Sequence, residues 1–184
     1  MQFRKILWAP LAASSLLGLG ALAHAALSDA TSSHVSFQAS GPAGLKIEGT
    51  TSDLTLADQG DDVVITVPLA NLATGISVRD KHMKEKYLEV PKFPSATLTV
   101  KRSALKVPSA GESVALDVAG AVNLHGQTRP VTVHYEVKRD GPTLTTRGRF
   151  HINMGDFGIT VPSYLGVTVK PDVDVSADFR AAGS

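Results

Sequence analysis

The chain of 184 residues contains no cysteine. That excludes disulfides, thiolate metal sites and a cysteine nucleophile, and leaves any exported form to be held by an ordinary apolar core. The five histidines beyond residue 25 are His34, His82, His125, His134 and His151, and no two form an H-x-H or H-x₃-H pair. No acidic cluster completes a metal shell around any of them, so no metal site is expected. Serine appears in no G-x-S-x-G or S-x-x-K setting, and "PSAGES" reads as a turn rather than a nucleophile elbow. "GDFG" at 155–158 matches a kinase metal-binding tripeptide, but no glycine-rich loop, strand lysine or catalytic loop accompanies it. The carboxylate pairs Asp61/Asp62 and Asp172/Asp174 fall at strand ends or on an exposed alternating face, where solvation explains them better than acid–base work. The chain reads as non-catalytic, with no catalytic residues and no cofactor.

Long apolar runs are absent except at the start. In "MQFRKILWAPLAASSLLGLGALAHA", Arg4 and Lys5 precede an apolar stretch, and small residues stand at the −3 and −1 positions before a cleavage point after Ala25. The expectation is a cleavable signal over 1–25 and one exported, periplasmic domain over 26–184. Residues 1–25 hold two of the 18 basic residues and none of the 17 acidic ones. The remainder is therefore close to neutral, without the polybasic patch that nucleic acid would require.

What is present is alternation. Val35 and Phe37 share a face, as do Val63, Ile65, Val67 and Leu69, then Ala96, Leu98 and Val100. Val114, Leu116 and Val118 continue the pattern toward Val122 and Leu124, past a Gly120 that suggests a bulge or bend. Val131, Val133, Tyr135 and Val137 follow, then Val173, Val175, Ala177 and Phe179. Turn-rich stretches at 39–44, 57–62, 107–113, 125–130 and 139–142 separate these runs. With weaker runs at 45–50, 52–57 and 143–153, eight or nine antiparallel strands are expected in one all-β domain. The pattern alone leaves a closed barrel and a sandwich equally open.

One segment breaks the rule. "GISVRDKHMKEKYLEVPKFP" (75–94) has no Gly or Pro over 78–88, and Ser77 with Asp80 resembles a weak capping box. Val78, Met83, Tyr87 and Leu88 form an imperfect apolar stripe, and Pro91 and Pro94 stop the helix. A helix of two to three turns joining the fourth strand to the fifth is predicted, either as a plug at one end or as a lid over a cavity.

These residues resemble a known family. "GISVRDKHMKEKYLEVPKFPSATLTV", "VAGAVNLHGQTRPVTVHYEV" (118–137) and "FHINMGDFGIT" (150–160) occur in the order of the three hallmark blocks of the YceI-like family. Tyr87 and Leu88 stand where that family usually has two Phe. The resemblance implies an all-β, eight-stranded antiparallel lipocalin-like barrel with one short helix between strands 4 and 5. It further implies a periplasmic carrier of a polyisoprenoid lipid, an isoprenoid quinone or another long-chain amphiphile.

Candidate ligand-binding residues follow. Phe37, Ile47, Phe93, Phe150, Phe157 and Tyr164 are the bulky side chains available to line the interior, with Leu124 beside them. Met83, Tyr87 and Leu88 would touch a guest from the helix. Arg79 offers a planar fork for a phosphate or carboxylate head, or else a local ion pair with Asp80. His125 would either meet a quinone oxygen or bond turn backbone. The expected partners are a hydrophobic small molecule and, transiently, a membrane or membrane protein, with a homodimer also compatible. The competing readings are a stress-related interaction module with a packed interior and a redox accessory acting on a bound quinone.

Overall fold

The computed structural model describes residues 30–164 and 166–182, with no side-chain description at Tyr164; the segment read as a signal peptide lies outside the described residues. The nine runs expected from alternation are nine strands. They are β1 (Thr31–Ser40), β2 (Lys46–Thr51), β3 (Thr55–Gln59), β4 (Asp62–Pro68), β5 (Ser95–Lys101), β6 (Ser113–Leu124), β7 (Gln127–Asp140), β8 (Thr143–Asn153) and, last in the chain, β11 (Asp172–Ala182). Between β8 and β11 lies a two-rung hairpin of β9 (Ser163–Tyr164) and β10 (Val167–Thr168), too short to leave a period in the sequence.

The nine strands form one antiparallel sheet in the order β2-β1-β11-β8-β7-β6-β5-β4-β3. The count of eight implied by the resemblance is therefore corrected to nine. The two edge strands, β2 and β3, are consecutive in the chain and joined by residues 52–54 alone. A link that short spans only about 14 Å, so the sheet has to curl until its edges approach. They do not zip together: the β2 edge is met by one bridge, Thr50 with Ala73 (N···O 2.8 and 2.9 Å), from the connection after β4. The result is a half-barrel with a seam rather than a closed ladder.

Gly120 makes no bulge. Register runs evenly through it along β7, with Val131 opposite, and the β5 ladder reaches it in even register and ends there, with Val100 opposite. A Cβ there would lie 3.0 Å from Leu98 Cδ1 and 3.2 Å from the Thr99 carbonyl, so glycine serves close strand approach instead. The β6–β7 turn has two residues, His125 (φ 52°) and Gly126 (φ 73°), the doubly left-handed geometry of a tight hairpin.

Connections differ greatly between the two ends. Residues 41–45, 69–94, 125–126 and 154–171 gather at one end, and 60–61, 102–112 and 141–142 at the other. The long connections thus crowd the first end, where Leu69, Leu72, Leu124, Met154, Phe157 and Ile159 form a buried cluster. At the far end Leu105, Lys106 and Val107, in the chain after β5, line the opening, and the Lys106 amide donates to the Tyr135 hydroxyl (2.7 Å), giving a buried phenol its partner.

The outer face is polar and laddered. His134 meets Asp117 (2.7 Å), Arg149 meets Glu136 (2.6 Å), and His151 meets Asp174 (3.0 Å), each across paired strands. The hydrogen bond to Asp174, with help from Asp172, raises the His151 pKa above its ordinary value. A raised folded-state pKa gives stability that is complete below the unfolded value and fades as pH rises through the folded one. Wild type should therefore melt above His151→Gln below about pH 6.5 and lose that advantage under alkaline conditions, as thermal scans across pH would record.

Candidate functional site

Along each strand every second side chain points to the concave face, and these are the apolar ones. Phe37, Val175 and Phe150 sit opposite one another on β1, β11 and β8, and Ile65 and Leu98 do so on β4 and β5. Yet these side chains are only half-buried, unlike Val63 or Val133 nearer the far end. They border empty space. The interior is a cavity of about 890 Å³, toward the upper end of small-molecule sites, and an interior filled by its own side chains does not describe this sheet.

The wall is almost wholly aliphatic and aromatic. Gly148, in the middle of β8 between Tyr135 and Ala177, widens it, since a Cβ there would meet only Val133 Cγ1 at 3.7 Å. Ser36, Thr97 and Thr146 interrupt the lining within the barrel, and Thr74, Arg79 and His82 do so at the helix end.

The predicted helix is there, as α1 (Ser77–His82) running on into a wider turn over Met83–Tyr87. In that turn the Leu88 amide bonds the Met83 carbonyl (2.8 Å), five residues back. An i→i+5 turn sets residues four and five apart near one face. This is why the imperfect stripe works: Met83, Tyr87 and Leu88 all line the cavity. Val78 also borders the cavity, but at its mouth, where it is 66% exposed.

The start of α1 differs from the expected capping box. The residue before the helix is Ile76, and Ser77 makes no cap bond. Asp80 instead reaches back outside the helix and accepts from the Thr74 amide (2.7 Å) and the Thr74 hydroxyl. Arg79 donates through Nε to Thr74 Oγ1 (2.7 Å) and through one Nη to the Thr74 carbonyl (2.8 Å). Its other Nη has no protein partner among the described residues. The Thr74 hydroxyl bond, outweighing partial burial, lowers the Asp80 pKa. Thr74, which carried no signal in the sequence, therefore ties both charged residues to the rim.

Of the twelve sequence-predicted residues, Phe37, Ile47, Arg79, Met83, Tyr87, Leu88, Leu124 and Phe150 line the cavity. Phe93, Phe157 and His125 do not, for a common reason. His125 Nδ1 donates to the Phe157 carbonyl (3.1 Å), and its other ring nitrogen lies 2.9 Å from Glu89 Oε2. The Phe93 ring packs on the His125 ring at 4.5 Å, and Phe157 is 1% exposed behind them. These residues clamp the β6–β7 turn, the exit of the helix and the turn after β8 together, outside the wall. Tyr164 is placed by its backbone in β9, and its side chain lies outside the described residues.

A family model described as "YceI-like domain" matches residues 28–181. A "UPF0312 protein" from Pseudomonas savastanoi pv. phaseolicola is 32% identical over 136 residues, covering 70% of this chain and 67% of that protein. One from Pseudomonas fluorescens is 33% identical over 138 residues, 71% of this chain and 68% of that one. Among solved structures, a polyisoprenoid binding domain from Saccharophagus degradans implicated in plant cell wall breakdown superposes with a TM-score of 0.73 at 20% identity, over 88% of this chain and 100% of that one. BcnA from Burkholderia cenocepacia follows at 0.66 and 19%, over 82% and 96%. At these identities the structures speak for the fold.

If Thr74 is the tether of the helix, Thr74→Val should free its first turn while leaving the sheet intact. Limited trypsin digestion should then cut after Arg79 or Lys81 at least about tenfold faster than in wild type, as expected for loss of the hydroxyl's two bonds to charged groups while the backbone bonds remain. An unchanged cleavage rate would assign the tether elsewhere.

Proposed function

The chain belongs to the YceI-like family, and on that footing we propose that it carries a long apolar molecule, a polyisoprenoid lipid or an isoprenoid quinone, inside the half-barrel without transforming it. The single observation behind this reading is the apolar cavity of about 890 Å³ running beneath the helix. Burial supplies the affinity. At roughly 0.8 kcal/mol per carbon a five-carbon isoprene unit brings about 4 kcal/mol. Association costs an estimated 4–15 kcal/mol, so roughly three or four units are needed before binding becomes useful. That arithmetic favours prenyl chains over short acids or alcohols.

Head and tail have different environments. The tail meets Phe37, Leu98, Phe150 and Val175, whereas Arg79 and His82 stand at the helix end with Thr74. A phosphate, carboxylate or quinone oxygen placed there would be held by the remaining Arg79 nitrogen. Binding rather than catalysis is the role this arrangement suits. Carriage through an aqueous periplasm, following export directed by residues 1–25, would give such a container its use. Loading and release then call for contact with a membrane or a membrane protein.

Native mass spectrometry with organic extraction, on protein purified without detergent from its own cells, is the direct test. A defined lipid at near one-to-one occupancy is expected, and Gly148→Phe, whose ring would enter the cavity, should fold normally and come out empty. Protein that is empty and also refuses prenyl lipids and quinones in vitro would end the carrier reading. A second comparison isolates the head. Wild type should prefer a prenyl phosphate over the matching prenyl alcohol by roughly 10- to 100-fold, the worth of a charge-assisted bond. In Arg79→Gln that preference should collapse in the same competition assay.

A further inference from the structure

Among the described residues five large apolar side chains are exposed: Leu45 (37%), Ile76 (53%), Val78 (66%), Val107 and Val167 (42%). Four of them, all but Val107, belong to the connections at the helix end, from three different parts of the chain. Each of the four also lines the cavity. The apolar wall thus continues out of the interior and over the rim with no polar break along Ile76 and Val78. Side chains that served the core alone would have no reason to project here.

Charge around this rim leans basic. The whole chain is nearly balanced, with 18 basic and 17 acidic residues, but residues 77–92 hold five basic and three acidic ones. Two of those three acids are engaged: Asp80 is bonded to Thr74, and Glu89 faces His125. Glu85 remains exposed beside Lys81 and Lys86, while Lys46 at the start of β2 and Lys170 before β11 flank the rim, with Asp156 and Asp172 exposed acids near the two ends of the 154–171 connection. An exposed apolar ridge collared by lysines fits the interface of an anionic bilayer, where the ridge enters the headgroup region and the lysines meet phosphate.

We propose that the rim formed by Leu45, Ile76, Val78 and Val167 docks this protein on anionic lipid bilayers, cavity mouth to membrane. The inference rests on the carrier reading and adds to it the surface through which a guest is exchanged. With the rim seated, a prenyl chain leaving the bilayer passes from acyl chains to Ile76 and Val78 and then to Met83 and Leu88 without crossing water, which removes the largest barrier to its transfer.

The lack of cysteine gives a clean background for the test. Val78→Cys and, at the far end, Lys138→Cys are each labelled with a polarity-sensitive fluorophore and mixed with phosphatidylglycerol–phosphatidylcholine vesicles or with phosphatidylcholine alone. The mixed vesicles should blue-shift the Val78 probe and leave the Lys138 probe unmoved. Each cation near an anionic surface is worth roughly fivefold in affinity, so Lys46→Glu with Lys81→Glu should weaken docking more than tenfold. Ligand uptake by that variant from cyclodextrin, with no vesicle present, should match wild type. Three results overturn the proposal: no shift at Val78, an equal shift at Lys138, or a Val78 shift that appears without vesicles as protein concentration rises, meaning that a second copy covers the rim. The cyclodextrin assay separates the two claims. Docking without uptake removes the carrier reading and keeps the surface, and uptake without docking does the reverse.

Discussion

Three residues, 52–54, join the two edge strands of the nine-stranded sheet, and the rest of the structure depends on that short link. A flat sheet of nine strands would place its edges roughly 38 Å apart at ordinary strand spacing. So short a connection forbids that separation, and the sheet has to wrap. Once it wraps, period-two alternation gives every strand an inner and an outer set of side chains. The aliphatic inner set meets itself across a gap too wide for Val, Leu and Ala to fill. The cavity follows from strand number, alternation and one short loop together.

Function is then divided between the two ends. At the far end two short turns and the 102–112 connection, pinned by the Lys106–Tyr135 hydrogen bond, border the interior. At the other end two long connections supply everything that is not sheet: the helix, the Thr74 tether, the His125 clamp and the β9–β10 hairpin. This asymmetry suits a container better than a scaffold, because it provides one firm base and one elaborated mouth. Thr74, Arg79 and His82 place polar groups at the mouth.

The wall of the cavity was legible in the sequence, because a strand's side-chain period is fixed and Val63, Ile65 and Val67 or Val173, Val175 and Ala177 can face only one way together. The absence of Gly and Pro over 78–88 and the stop at Pro91 and Pro94 supplied the helix and its place between β4 and β5. Less was legible where long-range contacts decide. Phe93, Phe157 and His125 look like wall residues by type, yet they pack on one another, since a turn geometry with two left-handed residues aims the His125 ring at the Phe157 carbonyl. Val78 fits the helix stripe by spacing and does border the cavity, but the wider turn begins after it and carries only the residues from Met83 onward inside, leaving Val78 exposed at the mouth. Thr74 was missed because a lone threonine before a helix has many uses. The seam was missed because edge-to-edge pairing leaves no mark on a single strand.

That seam sets a property of the container. In a barrel closed by a ladder, circumference is a fixed number of rungs, and admitting a thicker guest would cost a row of hydrogen bonds. Here, among the described residues, the β2 edge is met by one backbone bridge, the Thr50–Ala73 pair. Parting that pair lets the wall spread while every other strand keeps its register, so the protein is a sleeve rather than a pipe. A sleeve takes its girth from its contents, so the width of this interior is not fixed by its strand count.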